Sequence, residues 1–425
     1  MQRCTILKEH TIPINRYFFY LWEEVYNNYT MSKKKSPVIS NTLSRIEVVD
    51  ALRGFAVMAI LVVHSLEHFI YPVYPDAATQ PGWLNISDAG FFSIIFTLFA
   101  GKAYAIFALL FGFTFHIQYS RQKDKGKDFG GRFFWRMILL VGFATINAAF
   151  FPAGDVLLLF SIVGLFLILV RKWSDKAVLI FAFILLLQPV EWFHYIAGLF
   201  NPDYKLPDLK VGEMYGEVAA YTRNGNWGEF LWGNITLGQK ASLLWAVGAG
   251  RFLQTAGLFM LGLLLGRKQL FVNSPSAIRF WVKALIVSAI LFAPLYQLNI
   301  ELADSASVKQ TVGVVFDMWQ KLAFTIVLVS SFVLLYQTVY FRKITTSLRF
   351  YGRMSLTNYV TQSLFGALIY FPIGLNLAPY CGYTISFLIG LFILIIQILF
   401  CKWWLKTHKQ GPLESLWHKL TWLKR

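Results

Sequence analysis

Residues 382–405 read GYTISFLIGLFILIIQILFCKWWL, twenty-four positions with a single charge, Lys402, close to the far end. A bilayer core takes about 20 consecutive apolar residues in a helix. A strand of a membrane barrel would alternate apolar and polar positions, and this run does not. In lipid the backbone must satisfy its own polar groups, so the run is predicted to be a transmembrane helix.

Similar runs fill the rest of the chain. Apolar windows bounded by charges or Pro/Gly clusters predict helices near 48–70, 90–120, 133–151, 154–171, 177–198, 249–267, 279–298, 312–341 and 349–374. With 382–405 these make ten, so the expected fold is all-α, a polytopic integral membrane helix bundle. The composition agrees: of 425 residues 56% are hydrophobic and only 14% charged, against about 25% in soluble domains. The window 90–120 is too long for one simple span and is interrupted at Gly101-Lys102, which predicts a broken or tilted helix.

The formal charge of +17 could suggest nucleic acid, but that reading needs the basic residues on one solvated face. Here they sit between hydrophobic runs. Loops 121–132, 171–176, 267–283 and 342–353 hold sixteen Lys and Arg, whereas the alternate loops 71–90, 151–154, 199–240, 299–311 and 375–381 hold five. Cytoplasmic loops are the basic ones, so both termini are predicted on the cytoplasmic side. Residues 1–44 form a cytoplasmic segment in this reading, 45–240 and 241–407 the two membrane halves, and 408–425 an interfacial tail. Loop 199–240 reads as a small outer cap. Residues 1–30 lack an unbroken apolar core and carry Glu9, Glu23 and Glu24; Met31-Ser32-Lys33 resembles a start, so 1–30 are expected to derive from an upstream start codon. Cys4, Cys381 and Cys401 are scattered without CxxC spacing, which indicates neither a disulfide framework nor a cysteine zinc site.

Ionisable residues at membrane depth are costly and mark function. The first helix holds most of them: Asp50 and Arg53 three residues apart, then His64, Glu67 and His68. Asp50 and Arg53 can neutralise each other on one face, either as a structural ion pair or as part of a site. His64-Ser65-Leu66-Glu67-His68 formally matches the HxxEH pattern of zinc peptidases. No third ligand with paired spacing follows, so no metal is assigned. A hydrogen-bonded structural histidine is one alternative for His64, and acid/base catalysis near neutral pH is the other. Lys102, His116, Asp155, Arg251, Asp317 and Lys321 are each readable as an anchor, cap or local pair. Together they imply a polar cavity through the bundle. Ser355, Tyr359, Gln362 and Ser363 recur at helical spacing, a stripe that glues helices together or lines a cavity.

Asp50-Ala51-Leu52-Arg53-Gly54-Phe55, Gly101-Lys102, Gly154-Asp155, Gly262-Leu263-Leu264-Leu265-Gly266-Arg267, Gly352-Arg353-Met354-Ser355 and Gly411-Pro412-Leu413-Glu414 occur in this order. In these motifs the chain resembles the YeiB-like family of bacterial membrane proteins, which carry a C-terminal domain of unknown function numbered 418. The first helix is also similar to that of the transmembrane acyltransferases. That resemblance implies a bacterial plasma-membrane enzyme that takes an acyl group from a cytoplasmic donor such as acetyl-CoA. The acceptor would be an envelope glycan or small molecule, with no nucleic acid partner. His64 would be the transfer residue, and Asp50 and Arg53 would organise the donor path. Arg132 and Arg136 are a loose counterpart of the paired arginines that bind the donor, with Lys102 as a further candidate. The rival expectations are a transporter that breaks no bond, and a scaffold or sensor with no ligand.

Overall fold

The structure, a computed structural model, describes residues 46–201, 203–302 and 311–423. The segment 1–44, with Lys33 and Cys4, therefore lies outside the described residues, as do most of loop 299–311, Lys424 and Arg425.

Among the described residues the chain is all helix and turn, with no strand. In chain order the principal helices are α1 (Glu47–Leu66), α2 (Gly82–Phe99), α3 (Lys102–Lys123), α4 (Gly130–Ala149), α5 (Leu157–Val170), α6 (Asp175–Leu186) and α7 (Pro189–Phe200). There follow α8 (Val211–Arg223), α9 (Trp227–Gly248), α10 (Arg251–Arg267), α11 (Pro275–Leu302), α12 (Val312–Leu335), α13 (Thr346–Arg353), α14 (Ser355–Tyr370), α15 (Tyr383–Trp404) and α16 (Pro412–Thr421). Among the described residues six helices are long and apolar enough to cross a membrane, or up to eight if two bent pairs each count as one span.

The run 382–405 forms α15, and Gln397 in its interior is hydrogen-bonded through its side chain. Gln397 accepts from the Tyr351 hydroxyl at 2.7 Å and donates to the Asn358 carbonyl and the Thr361 hydroxyl at 3.0 and 2.8 Å. The same bonds fix the neighbour: Asn358 lies beside Cys401, and Tyr370 reaches Ser386 at the other end, so α14 runs antiparallel to α15 along most of its length. Cys381 and Cys401 are free and buried.

Four expected helices differ in outline, and of these the run 312–341 ends at Leu335, with a separate short helix at Val339–Ile344. The window 90–120 begins earlier, at Gly82, and is divided at Gly101, whose φ of +76° suits glycine. The α2 end near Asp88 is tied to Thr384 at 2.7 Å, Phe99 reaches Phe55, and Thr114 on α3 meets Arg53. The two halves thus run through the bundle once. The run 177–198 bends by 44° at Gln188, a left-handed residue followed by Pro189, and a proline that cannot donate to the preceding turn explains the break. The run 349–374 is two helices parted at Met354.

Helix α1 is the axis of the bundle, with 16 of its 20 residues buried. Its start packs backbone against backbone on α13: a Cβ on Gly54 would overlap the Leu348 carbonyl, and one on Gly352 the Asp50 carbonyl. Small residues permit this approach in membrane bundles. It leaves Arg53 toward one end of α1 and His64 toward the other, about 16 Å apart at 1.5 Å per residue.

Candidate functional site

At the His64 end a cavity of about 610 Å³ opens between α1, the α2–α3 break, the start of α5 and the helices α8 to α10. His64, Glu67, His68, Tyr104, Asp155 and Arg251 are among its lining residues. The His64 ring packs on Phe151 at 4.6 Å between centroids, with His68 at 5.4 Å and Tyr359 at 6.1 Å. It is 8% exposed and its Nδ1 has no hydrogen-bond partner among the described residues. A histidine kept for structure normally spends that nitrogen on a bond, which the His64 Nδ1 does not make among the described residues. Glu67 stands 3.7 Å from the His68 Nε2. Among the described residues no group of three or more His, Cys, Asp or Glu is placed to hold a metal.

Asp155 is a cap. Its carboxylate accepts from the Asn147 amide at 2.8 Å and from the Leu158 N–H at 3.1 Å, which closes the first turn of α5. The Ser242 hydroxyl donates to its carbonyl at 2.9 Å and joins α9 to this corner. The remaining mouth is aromatic, with Tyr71, Tyr74, Tyr215 and Trp245. These four were missed by sequence reasoning, because an aromatic in an outer loop is indistinguishable from an interfacial anchor. Tyr71 and Tyr215 are joined by a hydrogen bond from the Tyr71 hydroxyl to the Tyr215 carbonyl, and burial pushes the Tyr215 phenol up to about 12.

Asp50 and Arg53 are brought together as expected from their spacing, Nη1 to Oδ1 at 3.1 Å, and Arg53 also donates to the Thr114 hydroxyl. Arg53 lines a second cavity of about 320 Å³ with Thr114, Arg136, Gly352, Ser355 and Glu414. A third space of about 480 Å³ adjoins it, shares Gln118, Arg136, Gln410 and His418 with it, and adds Arg121, Lys125 and Lys127. The two cavities come within one helical turn of each other on α3: Tyr104 lines the His64 cavity and Phe107 the Arg53 cavity, and both pack on Phe160.

The three donor-binding candidates do not converge. Lys102 is buried beside the Phe324 ring at the α3 start, whereas Arg136 faces Gln118, sixteen residues further along α3 and about 24 Å away. Arg132 is engaged elsewhere, donating to the Thr421 and Leu423 carbonyls at 3.0 and 3.2 Å at the end of α16. Arg136 donates to the Thr421 hydroxyl and stacks on Trp417 at 4.0 Å, yet still lines both spaces. The arginine pair thus anchors the tail helix, and only Arg136 remains open to a ligand.

The tail is held at its other end by Glu414, which accepts from the Leu356 and Thr357 N–H groups at 2.7 and 3.1 Å and bonds the Thr357 hydroxyl at 2.6 Å. These are the orphan donors of the α14 start. Burial raises the Glu414 carboxyl above its ordinary range. Glu414→Ala is expected to cost about 1–3 kcal/mol by leaving those donors unpaired, read as a lower melting temperature. A raised folded-state value means the folded protein holds this proton more tightly. This contribution is therefore full below the ordinary glutamate value and fades as pH rises through the raised one; Glu414→Gln should flatten that slope, and an unchanged slope would remove Glu414 as its source.

Residues 265–424 match the family model described as a protein of unknown function, DUF418. The chain is 26% identical over 409 residues to the uncharacterized protein YxaH of Bacillus subtilis (strain 168), covering 91% of this chain and 96% of that protein. It is 25% identical over 409 residues to the uncharacterized protein YeiB of Escherichia coli (strain K12), covering 89% and 97%. An uncharacterized 39.9 kDa protein of Bacillus acidopullulyticus is 26% identical over 387 residues, covering 90% and 95%. No solved structure matches the chain. The DUF418 match thus covers the C-terminal part of the chain, and over most of its length the chain is similar to the uncharacterized proteins YxaH and YeiB.

Proposed function

We propose that this protein is a transmembrane acyltransferase of the bacterial inner membrane, with ten crossings and both termini in the cytoplasm. The observation that carries the reading is the pair of cavities along α1, one lined by His64 and the other by Arg53, which the Tyr104–Phe107 turn of α3, packed on Phe160, borders on both sides. A cytoplasmic acyl thioester such as acetyl-CoA enters on the Arg53 side, where Arg136 and the Arg121, Lys125 and Lys127 cluster attract its phosphates. An acceptor hydroxyl enters on the His64 side. The acceptor oxygen bonds the acyl carbon while the neutral imidazole takes its proton; the carbon–sulfur bond breaks, and the imidazolium returns the proton to the departing thiolate. The Asp50–Arg53 pair positions the donor end of the path. The short segments α5 and α14 supply the crossings beyond the eight, supported by the antiparallel pairing of α14 with α15.

The deciding experiment is radiolabelled acetyl-CoA with the purified protein in nanodiscs. Label on protein or acceptor is expected. Folded protein that neither binds the donor nor turns it over would overturn the reading. A second reading, solute transport, is favoured by the broken helices, a 77° break at Ala249-Gly250 and a 44° bend at Gln188 that meet through the Gln188 Nε2 to Gly250 carbonyl bond at 3.2 Å. Solute flux in proteoliposomes without label transfer would establish it.

A further inference from the structure

Three cations gather where α2 gives way to α3. Arg251 and Lys321 line the His64 cavity together with Gly101. A Cβ on Gly101 would meet the Lys321 Cδ at 2.9 Å and the Arg251 guanidinium at 3.7 Å. Lys102, the next residue, is 3% exposed. Against these three, the nearby carboxylate among the described residues is Asp317, 2.6 Å from the Lys321 Nζ. The other carboxylates of the cavity are committed, Asp155 to the α5 cap and Glu67 beside His68. Arg251 spends one nitrogen on the Gln254 Oε1 at 2.6 Å and is flanked by the Tyr104 and Trp245 rings, which hold its guanidinium plane in place.

The backbone adds to the same field. Gly101 caps α3 without any side-chain bond, so the first N–H groups of that helix point toward the break. A helix start alone would not make a site. Here it coincides with two cavity-lining cations, and with His64, more than nine-tenths buried, whose Nδ1 is unpartnered on the wall of the same cavity. Cations buried in excess of their partners are costly, and an oxyanion at the Gly101 break offsets that cost. A guanidinium fork and a helix start are both suited to phosphate and carboxylate.

We infer that the Gly101 break is an oxyanion subsite, in which Arg251, Lys321 and the α3 N–H groups hold the phosphate or carboxylate of the molecule that fills the His64 cavity. Within the acyltransferase reading, on which this choice of ligand rests, the acceptor is an anionic polyhydroxylated compound such as a sugar phosphate or sugar acid. Its ring lies toward Tyr71, Tyr74, Tyr215 and Trp245, and its hydroxyl toward His64.

Equilibrium binding of radiolabelled glucose 6-phosphate to the protein in phosphatidylcholine nanodiscs tests this without any turnover. Displacement by inorganic phosphate and glucuronate but not by glucose is expected. Arg251→Gln should weaken binding at least tenfold, with partial recovery in Arg251→Lys. Asp317→Asn, which frees Lys321 from its competitor, should tighten it, a gain that a merely structural cluster would not give. Loss of binding when phosphatidylglycerol is added to the disc assigns the oxyanion to a lipid headgroup, and retained binding assigns it to a soluble compound; both keep the subsite. No binding, displacement by glucose as effective as by phosphate, or indifference to both Arg251→Gln and Asp317→Asn overturns it. Binding that follows these expectations in a protein without label transfer would discard the reaction and keep the subsite.

Discussion

Gly352→Val is expected to prevent the bundle from closing around its first helix. A Cβ at this position would overlap the Asp50 carbonyl oxygen and crowd the Gly54 N–H, and the reciprocal Gly54 meets the Leu348 carbonyl in the same way. Overpacking a core costs about 1–3 kcal/mol when side chains can shift aside. Here the obstacle is backbone of two helices, so α1 and α13 must separate, and the cost is expected to exceed about 4 kcal/mol, a large part of a typical reserve of about 5–15 kcal/mol. In detergent this reads as loss of the monodisperse peak, or a melting temperature lower by about 4 °C or more. Gly90→Val is the control: Gly90 is exposed on α2 with open space where the Cβ would go. Near-native melting of Gly352→Val would refute the close approach.

That contact also shows where the sequence stops being readable. Gly54 and Gly352 both stand in motifs that carry the resemblance, yet nothing in a single chain says that they touch, because small residues favour close packing without naming a partner. Helix existence is carried by apolar length alone, so α1 and α15 begin and end within a few residues of expectation. Pro189 marks the bend at Gln188, but apolar residues continue on both sides and mask it in the sequence. Asp50 and Arg53 were legible as a pair because helical spacing is local. Arg132 was not legible as a tail anchor, because its partners Thr421 and Leu423 are nearly three hundred residues away. Arg251 and Lys321, each explicable alone as a snorkelling or locally paired side chain, acquire a role only when the Gly101 break brings them to one wall.

His64→Ala is expected to lower acyl transfer by about 10²–10⁴-fold, the range that a positioned general base supplies, while the protein remains folded. The structural side of this prediction rests on what the imidazole lacks. Its Nδ1 has no hydrogen-bond partner among the described residues, and its surroundings are the Phe151, Phe69 and Tyr359 rings together with His68. Removing it therefore leaves no orphaned partner at Nδ1, only a space beside a cavity that already exists, so the melting temperature should fall by a few degrees at most. Glutamine fills much of the same space but cannot accept and return a proton near neutral pH, so His64→Gln should restore stability without restoring transfer. Donor binding at the Arg53 end should survive both substitutions, since the aromatic turn of Tyr104 and Phe107 separates the two cavities. His68 stands one turn away and is the obvious substitute base; His68→Ala should therefore cost much less than His64→Ala, because its ring is less buried and borders Glu67 at the mouth. Transfer that persists in His64→Ala at more than about a tenth of the wild-type rate falls short of what a general base contributes, and would make His64 a wall of the cavity instead of its reacting group.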